Sequence, residues 1–198
     1  MRPLFQNNIS KEEIMSLPVG RYEGDIVCVN DREELFAVLP ALEREAVLGF
    51  DTETRPSFKK GKRYPVALLQ LATQERAWLI RLNRLGYVPE LWRLFTDEGI
   101  RKIGVGIRDD LRELQQLHPF EPAGFTELQE YVKDFGIEDA SLVKITARIL
   151  GFRVSKAQRL TNWEADKLTQ KQQAYAATDA WVCYMIYKKL NAYTHGPQ

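Results

Sequence analysis

Cysteine is nearly missing from this chain of 198 residues: Cys28 and Cys183 lie far apart, each within an apolar stretch. Neither a zinc knuckle nor a local redox pair can be built from them, and both read as buried structural thiols. Histidine is as scarce. His118 and His195 offer too little for a histidine-rich metal site or a Ser/His/Asp triad, so any metal has to be held by carboxylates. Net charge is small too, with 28 Lys and Arg against 27 Asp and Glu leaving +1, so a nucleic-acid partner must be gripped by a local basic patch. No stretch approaches the roughly 18 uninterrupted apolar residues of a membrane span, and MRPLFQNNISKEEI lacks the basic start and apolar run of a targeting segment. A soluble, cytoplasmic protein without membrane contact is expected. Internal repeats, low-complexity tracts and long linkers are lacking as well. What is present, 44% hydrophobic and 11% aromatic residues with 12 Gly and 9 Pro, is the composition of an ordinary folded domain, and the length suits one core rather than two.

Ser10 and Glu13 are spaced as a capping box before a short helix that Pro18 and Gly20 end, so residues 1–20 read as a helical adaptor ahead of a main domain at 21–198. Strands are expected at 26–29, 46–50, 66–72, 77–80 and 102–105. Asp31 and Glu34 form a second capping pair, after which Leu35, Phe36, Val38, Leu39 and Leu42 keep helical spacing. Further helices are expected near 89–95, 110–117 and 141–150, the last stopped by Gly151, and a long one opens at the Thr169 and Gln172 capping box and runs to about 190. This order predicts an α/β fold with a mixed sheet flanked by helices.

Three acidic segments and one basic one carry chemical interest. In Phe50-Asp51-Thr52-Glu53 a strand meets a polar loop, and residues two apart on a strand share a face, so Asp51 and Glu53 can share a hard divalent cation; a solvated turn is the plainer reading. Tyr175 and Asp179 lie one helical turn apart among alanines, either as a phenol and carboxylate beside a reaction centre or as a core tyrosine with an exposed acid. Residues 102–114 read as strand, glycine turn and helix start. Gly104 and Gly106 suggest a dinucleotide loop, but Asp109 stands where the third glycine belongs and would face a pyrophosphate with the wrong charge. Asp109 fits a helix N-cap, leaving Asp110 as the candidate ligand. Between 55 and 64, Arg55, Lys59, Lys60, Lys62 and Arg63 occur without an acid, next to Phe58 and Tyr64, which suits either a phosphate backbone or a solvated loop.

Taken together, these segments resemble the tyrosine branch (DEDDy) of the four-carboxylate 3′-to-5′ exonucleases, the group that includes ribonuclease D and the exonuclease domain of the Werner-syndrome helicase. The resemblance covers roughly residues 25–190. It runs through Asp51 and Glu53 in FDTET, Asp110 in VGIRDDL, and Tyr175 with Asp179 as Tyr-x-x-x-Asp; the histidine branch would need histidine at position 174, which is Ala174. Ser141-Leu142-Val143, Lys156 with Gln158, and the stretch from Asn162-Trp163 to Leu168 add to it. Asp109 directly before Asp110 allows the ligand register to shift by one, and neither a helicase module nor a helical accessory domain is visible. The resemblance implies a ribonuclease H-like fold and two divalent cations, Mg²⁺ or Mn²⁺, held by Asp51, Glu53, Asp110 and Asp179. It further implies that Asp51 bridges the cations, that Asp110 acts through water, and that Tyr175 orients the attacking water. The implied reaction is hydrolysis from the 3′ end of single-stranded or frayed DNA or RNA, releasing nucleoside 5′-monophosphates, with no small organic cofactor. Arg55, Lys59, Lys60, Lys62, Arg63, Lys156 and Trp163 are the candidate nucleic-acid contacts, and Phe58, Tyr64 and Trp163 the candidate stacking surfaces. An inactive nucleic-acid-binding module and a phosphoesterase of small nucleotides are the alternatives.

Overall fold

The computed structural model describes residues 8–139 and 141–195. Six strands, β1 (Asp25–Val29), β2 (Val47–Thr54), β3 (Val66–Ala72), β4 (Arg76–Ile80), β5 (Arg101–Gly104) and β6 (Phe125–Glu127), form one sheet in the order β1-β4-β3-β2-β5-β6. The β2-β3-β4 meander is antiparallel, while β1 joins β4, and β5 and β6 extend from β2, in parallel. The sheet is thus mixed, as the order of strand and helix signals predicts.

Helices cover both faces. On one side α2 (Arg32–Leu42), α4 (Pro89–Thr96) and α5 (Ile107–Leu117) pack Leu35, Leu39, Trp92, Phe95 and Leu114 against Leu48, Phe50, Leu69 and Leu71 of the central strands. On the other, α7 (Leu142–Leu150) and the long α8 (Gln170–His195) pack on the remaining face. The short helices α1 (Lys11–Ser16), α3 (Leu82–Leu85) and α6 (Leu128–Tyr131) fill connections, with a 3-10 turn following at Val132–Phe135. No helix among the described residues is long and apolar enough to cross a membrane.

The close approach of α8 to β2 determines the rest of the architecture. A Cβ at Gly49 would lie 1.9 Å from the carbonyl oxygen of Ala180 and 3.0 Å from the amide nitrogen of Tyr184, so only glycine lets the helix backbone settle on the strand. Ala176, Ala177 and Ala180 complete the contact from the helix side, all fully buried. The alanine stripe between Tyr175 and Asp179 is therefore the packing face that seats α8 on the sheet.

Several expectations need correcting. Helix α5 starts at Ile107 rather than 110, with Gly106 as its N-cap at φ 76°, so Asp109 is not a cap; it sits in the first turn, mostly exposed, and accepts from Arg112 at 2.9 Å. Asp31 caps α2, but Glu34 returns its carboxylate to the amide of Asn30 instead of completing the box on Asp31. Cys183 is buried, whereas Cys28 is only half-buried. Helix α8 continues five residues past 190, and β6, three residues long, was too short to show a period. The boxes at Ser10 with Glu13 and at Thr169 with Gln172 form as expected. His118, half-buried, packs between the rings of Tyr87 and Trp92 and is not part of the metal-capable cluster found among the described residues.

Candidate active site

Alternation along β2 sends Leu48 and Phe50 into the α2–α4 core and turns Gly49, Asp51 and Glu53 toward α8. Asp179, next to the seated Ala180, meets them at the strand end. One carboxylate oxygen from each of Asp51, Glu53 and Asp179 lies within 4.8 Å of the others, on the wall of a cavity of about 470 Å³. Tyr175, one turn earlier on α8, lines the same cavity beside the Asp179 carboxylate. Asp110 enters from the first turn of α5, where the Thr52 hydroxyl donates to its Oδ1 at 2.5 Å. The geometry separates the two neighbouring acids: Asp110 lines the cavity and Asp109 does not.

Electrostatics at this floor is unfavourable without a cation. Burial, followed by the charges of Asp179, Asp110 and Glu53, raises Asp51 well above the ordinary carboxylate range. Burial and then Asp179 push Glu53 up to about 8, against the opposing charge of Arg159. Asp179 rises to about 7 through burial, opposed by the neighbouring Tyr175 hydroxyl. Burial likewise carries Asp110 to about 7, opposed by the bond from Thr52. Two full negative charges 4.8 Å apart repel by about 3.5 kcal/mol at an effective dielectric near 20. A hard cation with oxygen preference reverses that sign, and the donor set is entirely carboxylate. The Tyr175 hydroxyl is raised as well, first by burial and then by Asp179 and Glu53, so it stays protonated and acts as a donor.

The basic segment is only partly free. Arg55 pairs with Glu164 at 3.1 Å, and both Arg55 and Lys62 sit 4.7 Å from the centre of the Tyr64 ring. Lys59, Lys60, Lys62 and Arg63 are exposed, and Phe58 projects into solvent at 85% exposure. Lys156 lines the acidic cavity itself. Trp163 is a correction: it is fully buried, with its ring centre 6.0 Å from that of Tyr175, and offers no face to a base. It packs behind the tyrosine.

Four residues that the sequence did not single out belong to this region. The Glu127 carboxylate accepts from the amides of Gly106 and Ile107 at 3.1 and 2.9 Å, pinning the turn that presents Asp110. Arg159 lines the cavity and opposes the charge of Glu53. Gln70 lies opposite Asp51 in the β2–β3 register, fully buried, with neither polar atom of its amide partnered among the described residues. Gly49 is the fourth, and it alone left a usable signal, a glycine two residues before Asp51 on the same strand face.

Comparison with known proteins agrees with this geometry. A family described as 3′-5′ exonuclease matches residues 26–194. The chain is 35% identical over 150 residues to the bifunctional 3′-5′ exonuclease/ATP-dependent helicase WRN of Mus musculus, covering 73% of this chain and 11% of that protein. It is 32% identical over 187 residues to the exonuclease 3′-5′ domain-containing protein 2 of Mus musculus, covering 86% and 28%. It therefore spans less than a third of the length of either relative. Among solved structures, the Aedes aegypti Nibbler EXO domain superposes with a TM-score of 0.77 at 23% identity, covering 89% of this chain and 94% of that one, which places the sheet and its helices in the ribonuclease H-like exonuclease fold. The chain belongs to the 3′-5′ exonuclease family, whose members are hydrolases that use divalent metals.

Proposed function

We propose that residues 21–198 form a nuclease domain that removes nucleotides one at a time from the 3′ end of single-stranded or frayed nucleic acid, releasing nucleoside 5′-monophosphates, with residues 1–20 as an adaptor. The observation that carries this reading is the convergence of Asp51, Glu53 and Asp179 within 4.8 Å beside the Tyr175 hydroxyl. The donor set fits two hard cations, Mg²⁺ or Mn²⁺: Asp51, Glu53 and Asp179 would hold one, and Asp51 with Asp110 the other. Bound there, the cations would supply charge neutralisation and Lewis acidity to an in-line phosphodiester displacement.

The chain's own side chains do the positioning. Tyr175 stays protonated, so its hydroxyl orients a water by hydrogen bonding and takes no proton from it. Thr52 and Glu127 fix Asp110, one by direct contact and one by pinning the helix start. Lys156 and Arg159, on the cavity wall, face the phosphates of the terminal residues. Arg55, Lys59, Lys60, Lys62 and Arg63 flank the site as backbone contacts, and Phe58 is the exposed ring on which a base can stack. A cavity of about 470 Å³ suits one splayed nucleotide better than a paired end, which supports the preference for single strands.

The test uses matched DNA and RNA strands labelled at the 5′ end, with Mg²⁺, Mn²⁺ or a chelator. A metal-dependent ladder of shortening products, with mononucleotides released, is the expected result, and the relative rates identify the preferred sugar. Retarded but uncut strands would make the chain a binding module instead. Hydrolysis of a chromogenic nucleotide ester without any ladder would make it a small-molecule phosphoesterase.

A further inference from the structure

A second cavity, of about 350 Å³, opens at the C-terminal ends of the parallel strands β1 and β4, against the residues that lead into α8. Ligand sites in α/β proteins favour this end of parallel strands, and the volume lies in the range of small-ligand sites, about 300–1,000 Å³. Its charged lining is Arg81, Arg84 and Lys167 with a single acid, Asp166; three cations against one acid leave a surplus of two positive charges. Lys156, Arg159 and the carboxylates of the candidate active site line the other cavity, so the two sites share no charged residue.

Arg81 is the unusual member. Its side chain is 1% exposed, yet among the described residues its guanidinium engages one acceptor, the Ala165 carbonyl through Nη2, and its buried Nε has no partner. An arginine carries five donor hydrogens, and a buried donor left unpaired on a charged group is destabilising. Arg84 is itself committed to the carbonyl and carboxylate of Asp166. Burial, then the like charge of Arg84, lowers the pKa of Arg81, and the opposite charge of a bound anion offsets both.

We propose that this cavity binds a phosphate monoester, with Arg81 as the buried fork and Arg84 and Lys167 at the mouth. The planar guanidinium matches phosphate oxygens in pairs, and a monoester carries about −1.5 to −2 charges at neutral pH, which matches the surplus. Such a group comes from a free nucleoside 5′-monophosphate or from the phosphorylated 5′ end of a strand. The assignment does not depend on whether the other cavity is catalytic.

The test is thermal melting in chelator, where the metal-free carboxylates of the other cavity repel anions, using inorganic phosphate, a nucleoside 5′-monophosphate, and one short strand with a 5′-phosphate or a 5′-hydroxyl. At about one hundred times its dissociation constant a ligand of the folded state raises the melting temperature of a chain this size by roughly 5–10 °C. Phosphate also stabilises proteins non-specifically by exclusion from their surface, so the comparison is with Arg84→Gln/Lys167→Gln, whose altered side chains lie near the surface and whose fold should persist. The double variant should lose most of the shift, and Lys156→Gln/Arg159→Gln should keep it. A shift from the free monophosphate assigns the site to nucleotides, and a shift confined to the 5′-phosphorylated strand assigns it to strand ends. The proposal is overturned if wild type moves with these ligands no more than in potassium chloride of equal ionic strength, if the double variant moves as far as wild type, or if the free monophosphate gives no shift and the 5′-hydroxyl strand matches the 5′-phosphorylated one.

Discussion

Gly49→Ala puts a methyl group where β2 and α8 leave no room. The new Cβ would sit 1.9 Å from the Ala180 carbonyl oxygen, against an ordinary carbon–oxygen contact of about 3.3 Å. That oxygen belongs to a helix backbone and cannot rotate aside, so strand and helix must part by about 1.4 Å, the difference between the two distances. Overpacking of this kind costs roughly 1–3 kcal/mol, a fall of about 2–12 °C in melting temperature for a domain of this size. Asp179 adjoins Ala180, so its carboxylate retreats from Asp51 as the helix moves. A misplacement near 1 Å in a catalytic constellation costs about 100-fold in rate. Melting curves and single-turnover removal of the 3′ nucleotide should therefore both suffer, and metal affinity should weaken with them. A variant that melts lower but cuts at the wild-type rate would show that the β2–α8 spacing does not set the site, and unchanged values of both would refute the packing argument itself.

Three further outcomes follow from the same geometry. Asp110→Asn should lower turnover by at least about 100-fold while Asp109→Asn leaves it within a few-fold, measured under single-turnover conditions; equal losses would contradict the separation of cavity-lining Asp110 from exposed Asp109. Tyr175→Phe should depress the rate strongly with Mn²⁺ affinity by calorimetry little changed, and loss of metal binding would instead make the hydroxyl a support for Asp179. Metal-free protein should lose stability as pH rises: the raised carboxylates contribute stability that is fully present below their unfolded values near 4, and it is lost as pH climbs through about 7 for Asp110 and Asp179 and about 8 for Glu53. Melting temperatures in chelator that held steady or rose between pH 6 and pH 9 would show that these groups are not crowded.

Local signals were legible in the sequence and distant contacts were not. Alternation put Asp51 and Glu53 on one face, and the four-residue step put Tyr175 beside Asp179, because both relations lie within one element. The strand at 66–72 emerged with the expected bounds because its run is apolar at every position but Gln70 and buried throughout. Glu127 acts on Gly106 across 21 residues and Arg159 on Glu53 across more than a hundred, so neither carried a local pattern. Trp163 went wrong for a related reason: an aromatic beside a motif looks the same in sequence whether it faces solvent or packs behind Tyr175. Asp109 and Asp110 were ambiguous until the true start of α5 fixed which of them points to the cavity.

The central claim is that Asp51, Glu53, Asp110 and Asp179 form one crowded, cation-requiring centre, and the most direct measurement is the melting temperature of wild type and Asp51→Asn at pH 8, with chelator and with saturating Mn²⁺. Asparagine keeps the shape and removes one of the clustered charges, that of a carboxyl raised well above its ordinary range. Metal-free Asp51→Asn should melt above metal-free wild type, while the rise that Mn²⁺ gives the wild type, about 2.7 kcal/mol or several degrees at one hundred times the dissociation constant, should largely vanish. A wild-type curve that Mn²⁺ leaves unmoved, or an Asp51→Asn variant that melts below wild type in chelator, would contradict the account.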